Sequence, residues 1–251
     1  MERGYQHHFS ELHQDAMYDK EIREKKAITM IKVLSEFFSV EKLPELTVLD
    51  VGSSTGIIDH YLSLHFKHVD GIDIDEQAIE YADKTLTSER LSFKVGDAMN
   101  ITFPDNSFDI VICAQIYEHV PDAQQMIKEI YRVLKPQGVC YFAAGNRFNI
   151  QEPHYNLPFL SVIPKSFAHL YLRLAKKGNF YYEQHLSYWG LKNLVKSFQI
   201  IDFTPKMLNN PDKYKIEYML KPNSLKHKIA KFIVNYAYWF CPGYIWLLQK
   251  P

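Results

Sequence analysis

The chain has 251 residues, 47% of them hydrophobic, which suits one large α/β domain with a proper core or one domain with an insertion. Twenty-nine basic residues balance 29 acidic ones, so the whole chain makes no electrostatic claim on nucleic acid or membrane. The three cysteines, Cys113, Cys140 and Cys241, are odd in number and far apart, which excludes a disulfide framework or a zinc cluster and fits a reducing cytosol. The polar start, Met1 to His8, has no apolar run behind it and is not expected to be a signal peptide.

Residues 17–39 read as one helix, with Ile22, Ile28, Ile31, Val33, Leu34, Phe37 and Phe38 as an apolar stripe. Thr47 to Val51 is a run of β-formers long enough for a buried strand and too short for a helix. The chain then turns on Gly52, passes three small residues to Gly56, and resumes at helical spacing with Ile57, Ile58, Tyr61 and Leu62. Such a strand–loop–helix unit can aim loop N–H groups and a helix N-terminus at one spot, which suits a carboxylate, a phosphate or a nucleotide edge. It can equally be an ordinary turn.

A second strand, His68 to Asp73, ends on an acid roughly twenty residues past the glycine loop, where nucleoside-binding α/β folds hold ribose hydroxyls. Asp75 reads as the N-cap of a helix over 76–86. Leu91–Val95 is a third strand, followed by Gly96-Asp97-Ala98-Met99. Phe108–Cys113 is a nearly all-apolar fourth, as central parallel strands are. A helix over 122–134 stops at Lys135-Pro136-Gln137-Gly138, and Val139–Ala144 is the fifth strand. Strands alternating with helices predict a doubly wound parallel sheet with its ligand at the carboxyl ends of the strands.

In order and spacing, four features match a known family: Val48-Leu-Asp-Val-Gly-Ser-Ser-Thr-Gly56; Gly71-Ile-Asp73; Gly96-Asp97-Ala98 with Pro104-Asp-Asn-Ser-Phe-Asp109; and Glu118-His-Val-Pro-Asp122 with Leu134-Lys-Pro-Gln-Gly138. Over about residues 45–145 and a final strand, the chain resembles the class I S-adenosylmethionine-dependent methyltransferases of the small-molecule type. The resemblance implies a Rossmann-like, seven-stranded α/β sheet with an antiparallel last strand, helices on both faces and lid insertions. It implies S-adenosylmethionine as cofactor and S-adenosylhomocysteine as product. Asp50 and the loop Gly52, Ser53, Ser54, Thr55 and Gly56 would hold the methionine end. Asp73 and Ile74 would hold the ribose, Asp97, Ala98 and Met99 the adenine, and Cys113, Ala114 and Gln115 would line the methionine side. Cys113 reads alternatively as a small core residue at the strand end.

Methyl transfer from a sulfonium asks for alignment and exclusion of water more than for acid–base chemistry. An oxygen nucleophile adds the need for a base, usually His near neutral pH. The segment 146–182 is far longer than an ordinary connection and is the expected lid. His154, just beyond Pro153, is the candidate general base, with a structural histidine as the alternative. Ubiquinone-biosynthesis O-methyltransferases carry Glu-x-x-Glu-His as a divalent-metal site. Here the stretch is Gln115-Ile-Tyr-Glu118-His119, one carboxylate short, so no metal is expected. Cys113-Ala-Gln-Ile116 lacks the Asn/Asp-Pro-Pro-Tyr/Phe of nucleobase amino-methylases, and Cys113 lacks the Pro-Cys setting of cytosine C5 enzymes.

Between Pro153 and Tyr182 there is no acid, while residues 206–251 carry eight lysines against Asp212 and Glu217. A helix is expected over 187–197, strands over 198–203 and 244–249, and a second extension over 206–242. Within it, 224–240 reads as a helix with Ser224, Lys228, Lys231 and Asn235 on one narrow stripe and a wide aromatic remainder. That helix packs on the core or a partner, or lies in an anionic membrane surface. The expected organisation is one domain: an N-terminal helical segment 1–44, a cofactor core 45–145, a lid 146–186 and a C-terminal part 187–251. The expected location is cytosolic, with attachment to the inner face of a membrane as an alternative to a freely cytosolic chain. The favoured activity is methyl transfer to oxygen of a small-molecule, lipid-linked or saccharide acceptor. RNA or protein methylation and a catalytically silent binding module remain as alternatives, with nucleic acid disfavoured by the missing motif.

Overall fold

The structure is a computed structural model that describes residues 6–251; residues 1–5 of the polar start lie outside it. Two short helices, α1 (Phe9–Leu12) and α2 (Gln14–Met17), precede α3 (Lys20–Phe38). The expected helix over 17–39 therefore begins at Asp19, whose side chain accepts from Ile22 N–H and caps it. Its buried face is also turned from the expected one. Arg23, Ala27, Met30 and Leu34 are buried, while Ile22, Ile28 and Ile31 are only half-buried. Thr29 sits on that face because its hydroxyl reaches the Lys215 carbonyl at 3.1 Å.

Then follow β1 (Thr47–Val51), α4 (Ile57–Ser63), β2 (His68–Asp73), α5 (Glu76–Leu86), β3 (Leu91–Val95), β4 (Phe108–Ala114), α6 (Ala123–Val133) and β5 (Leu134–Gly145). Asp75 and Asp122 cap α5 and α6 through backbone N–H groups of Ala78 and of Gln124 and Gln125. One expectation fails here. Lys135 to Gly138 is no separate stop, because Leu134 enters the strand directly. With Gln137 at φ 63° the segment bulges, and the register against β4 shifts between Phe108 and Ile110.

The lid holds a two-residue ladder, β6 (Gln151–Glu152) with β7 (Leu157–Pro158), and a helix α7 (Lys165–Leu174). After it come α8 (Tyr188–Leu194), β8 (Gln199–Asp202), α9 (Thr204–Asn209), α10 (Pro211–Tyr214), α11 (Leu225–Tyr236) and β9 (Gly243–Gln249). The expected helix over 224–240 ends at Tyr236, and Tyr238–Phe240 is a separate 3-10 turn. Strand order is β3-β2-β1-β4-β5-β9-β8, with β1 to β5 parallel and β9 antiparallel to both of its neighbours.

Successive residues of the central strands feed opposite cores, as the pleat requires. Ile110, Ile112, Val139 and Tyr141 pack with α3 and α4. Val111, Cys113, Cys140 and Phe142 pack with α6, α8 and Trp246. Both faces are thus covered, and the open end of the sheet is left at the carboxyl ends of β1, β2 and β4.

Candidate functional site

At that end lies a cavity of about 830 Å³. β1 runs out at Val51, and Gly52 turns the chain at φ +89°; a Cβ there would lie 2.1 Å from Ile116 Cδ1, so only glycine lets the two segments close. The loop does not aim its amides at a common spot, as its sequence suggested. Gly52 N–H and Ser53 N–H donate to the Ile72 carbonyl at 2.8 and 3.1 Å, Ser54 N–H donates to Asp73 Oδ2 at 2.8 Å, and Gly56 N–H donates to the Ser53 carbonyl. These donors fasten the loop to β2 instead of waiting for an anion.

Asp73 accepts from Ser54 N–H on one oxygen and from Asp75 N–H on the other at 2.9 Å. Each carboxylate oxygen keeps a second lone pair, enough to receive hydroxyl protons. Burial raises its pKa against the pull of those N–H groups. Asp50, under the loop, lies against Asp59, and both are buried. Burial raises both acids, Asp59 to about 7, and repulsion from Asp59 raises Asp50 further. Asp97 binds Met99 N–H at 2.8 Å and faces the cavity with Gly96 and Ala98.

A second constellation forms where the lid meets the β4–α6 loop. His154 Nδ1 lies 2.6 Å from Glu152 Oε1, His185 Nε2 lies 3.4 Å from the same oxygen, and Tyr155 N–H donates to Oε2 at 2.9 Å. Glu152 is fully buried. Burial would raise its pKa, but His154 and His185 hold it down at about 2. Burial likewise works to lower the pKa of His154, and the Glu152 carboxylate outweighs it and raises it. His119 stands edge-on to His154 with ring centroids 4.8 Å apart, its own Nδ1 2.7 Å from Gln6 Oε1. Two triads bring metal-type ligand atoms within 4.8 Å of one another: Glu118, His119 and His154, and Glu152, His154 and His185. Both depend on His154, whose Nδ1 is committed to Glu152. The missing carboxylate at Gln115 is thus no measure of how many ligand-type groups gather here.

Against these coordinates, the "Methyltransferase domain" family model matches residues 49–142. Residues 49–142 are thus similar to a methyltransferase domain. Over 102 residues it is 35% identical to the ubiquinone biosynthesis O-methyltransferase of Coxiella burnetii, covering 40% of this chain and 44% of that protein. Over 75 residues it is 44% identical to the demethylmenaquinone methyltransferase of Lactobacillus johnsonii, covering 28% of this chain and 31% of that one. The matched stretch thus spans less than half the length of either relative. Among solved structures, an S-adenosylmethionine-dependent methyltransferase from Mesorhizobium loti superposes with a TM-score of 0.54 at 14% identity, over 83% of this chain and 92% of its own.

Of the residues assigned to the cofactor from sequence, the cavity is lined by Asp50, Gly52, Ser54, Asp73, Ile74, Asp97, Ala98, Ala114 and Gln115. Ser53, Thr55, Gly56, Met99 and Cys113 are not on its wall. Ser53 and Thr55 are buried beneath the loop, and Gly56 admits Phe93, whose Cζ would be 2.5 Å from an added Cβ. Cys113 points into the α6 side of the sheet, which is its core reading and not its cofactor one. Gln115 takes φ 61° at the tip of β4, held by its N–H to the Ala143 carbonyl, and so turns into the cavity.

Sequence reasoning missed the N-terminal wall. Phe9, Ser10, His13, Met17 and Arg23 all line the cavity. Ser10 N–H donates to Asp75 at 2.8 Å and Thr55 Oγ1 donates to the Met17 carbonyl at 2.7 Å, so two short helices are strapped across the strand ends. The acid–x–His spacing of Glu152 and His154 was visible as a signal, whereas the arrival of His185 from beyond the lid helix was not.

Proposed function

We propose that this methyltransferase transfers its methyl group to a hydroxyl oxygen of a small, lipid-linked acceptor, with His154 as the general base. The observation that supports this reading is His154, which lines the same cavity as the cofactor loop and pairs with the buried Glu152. Bound S-adenosylmethionine supplies the activated methyl on a sulfonium sulfur. Asp73 and Asp97 would hold its nucleoside, and Asp50 its charged amino-acid end. Glu152 fixes the His154 ring by accepting from Nδ1–H, which leaves the Nε2 lone pair for an acceptor O–H. His154 takes that proton as the oxygen becomes the nucleophile, and Glu152 stabilises the resulting imidazolium. The N-terminal strap and the lid keep water from the site.

The lipid-linked acceptor is supported by the apolar groups that also line the cavity, among them Tyr141, Met207, Ile216, Tyr218 and Met219. The relatives named above, in ubiquinone biosynthesis and on demethylmenaquinone, point to acceptors of the same solubility class. The test is a pH profile. His154 must be neutral to act, so activity rises with pH through its raised pKa. In Glu152→Gln that pKa falls, which moves the rising limb to lower pH and cuts the plateau about tenfold. An unmoved limb contradicts the assignment.

A second reading concerns where the acceptor is met. Among the described residues no helix is long and apolar enough to cross a membrane. On α11, Leu225, Ile229, Phe232 and Tyr236 are 73, 49, 63 and 77% exposed, one face at helical spacing, with Lys226 and Lys228 beside them. His227 and Val234 on the opposite side are buried. That apolar stripe with flanking cations suits the interface of an anionic bilayer at the cytosolic face. Co-sedimentation with vesicles that increases with anionic lipid, weakens with salt and is lost in Phe232→Ser is the expected result; no binding at low salt contradicts it.

A further inference from the structure

His185 comes from the stretch between α7 and α8, and its ring is 4% exposed. The residues on either side of it are fastened to the β4–α6 loop. Gln184 N–H donates to the Glu118 carbonyl at 2.9 Å, and Leu186 N–H donates to Tyr117 Oη at 3.1 Å. Tyr117 in turn donates to the Gly145 carbonyl at the end of β5. The large sheet therefore positions His185. It does not position Glu152, whose backbone belongs to the two-residue ladder β6–β7.

The two side chains meet in the interior. His185 Nε2 lies 3.4 Å from Glu152 Oε1, the same oxygen that faces His154 Nδ1 at 2.6 Å. An ionised carboxylate only accepts, so the His185 nitrogen that faces it carries the proton. The other nitrogen, Nδ1, is then a buried lone pair, and it has no hydrogen-bond partner among the described residues. A buried polar atom left without a partner is costly. A phenylalanine would fill the space beside Tyr117 and His154 without that cost. Packing therefore does not account for a histidine here, whereas its Nε2–H does.

We propose that His185 is a positioning residue for the reaction: it donates Nε2–H to Glu152, ties that carboxylate to the frame of the sheet, and draws off part of the charge with which Glu152 holds a proton on His154. This rests on the reading of His154 as general base and adds the group that sets its working range. Glu152 then has three donors: Tyr155 N–H on Oε2, and His154 and His185 on Oε1. An acid with its charge spread over three donors pulls less on any one of them. Without His185, Glu152 turns its full charge on His154, whose pKa rises further. The other titratable groups around His154 are Glu118 and Glu183, which also raise it, and His13 and His119 at its edge. None of these changes when His185 is replaced.

The test is the pH profile of tritiated-methyl transfer from S-adenosylmethionine into the lipid fraction of a cell extract. His185→Phe keeps the ring and removes the donor. It is expected to move the rising limb to higher pH by roughly one unit, the opposite direction to Glu152→Gln, and to cut the rate on that limb about tenfold. Affinity for S-adenosylhomocysteine should stay as in the wild type. His185→Gln restores an N–H and should bring the limb back. The pair His185→Gln and His185→Met, alike in length and different in the donor, repeats the comparison where Phe does not fold. In a Glu152→Gln background His185→Phe should move nothing, because it acts through Glu152. A limb that Glu152→Gln moves and the loss of the donor at 185 does not overturns this proposal alone. So does a shift that Gln shares with Phe or Met, or one that persists in the Glu152→Gln background. A limb that neither Glu152→Gln nor His185→Phe moves overturns the general-base reading as well.

Discussion

The cofactor half and the lid are built by different rules. In residues 45–145 each functional group sits at the end of a strand whose place in the sheet fixes it. Asp50 pairs in register with Gly71, Asp73 with Val95, and Ala114 with Ala143. In the lid, by contrast, the cluster of four buried residues, Leu160, Ala168, Leu172 and Tyr181, is small, and each such side chain contributes only roughly 1.5–3 kcal/mol. The lid's position depends on individual polar contacts: Leu186 N–H donating to Tyr117 Oη and Gln184 N–H donating to the Glu118 carbonyl, with Lys165 Nζ donating to the Tyr181 carbonyl inside it. A sheet tolerates substitution by redundancy, and a lid held by single bonds does not. The proposal therefore assigns cofactor affinity to the first region and rate and acceptor choice to the second.

Variants that separate the two halves sharpen this contrast. The largest effect is expected from Gly52→Val. A side chain at φ +89° against Ile116 displaces the loop from β2, and binding of S-adenosylhomocysteine falls by about 100-fold or more by calorimetry. Next is His154→Ala, with turnover down about 10²- to 10⁴-fold at saturating cofactor and cofactor affinity unchanged. Loss of affinity with unchanged turnover would reverse the division of labour. The smallest is Asp59→Asn, which leaves turnover near wild type and raises thermal stability. The pKa of Asp59 is raised to about 7 in the folded chain, so the wild type loses stability as pH rises from the unfolded value through 7. The gain in Tm on substitution should accordingly grow from pH 4 to 7 and level off above; a gain that shrinks with pH contradicts a raised pKa for Asp59.

How much of this was readable beforehand follows the same line. The strands over 47–51, 68–73 and 91–95, the cap at Asp75 and the cavity-facing Asp73 and Asp97 were legible because strand period, turn glycines and caps are local signals. The loop's inward amides were not. Whether an N–H faces a ligand or Ile72 depends on a partner strand roughly twenty residues away. Arg23 was hidden inside an apolar pattern whose phase was read one residue off, since Ile22 and Ile28 suggested a face that Ala27 and Met30 in fact occupy. His154 was found as a lone histidine. Its partner Glu152 is fixed by the turn around Pro153, while His185 and Phe9 join it from segments far away in the chain, which no spacing encodes.

The central claim is methyl transfer to a small, lipid-linked hydroxyl by a histidine-assisted site. Its most direct test is transfer of a tritiated methyl group from S-adenosylmethionine into a cell extract, which is then split into lipid, small-molecule, nucleic-acid and protein fractions. The account predicts label in the lipid fraction with the wild type and its loss with His154→Ala. Label in RNA or protein, or label in lipid that His154→Ala leaves untouched, would contradict it.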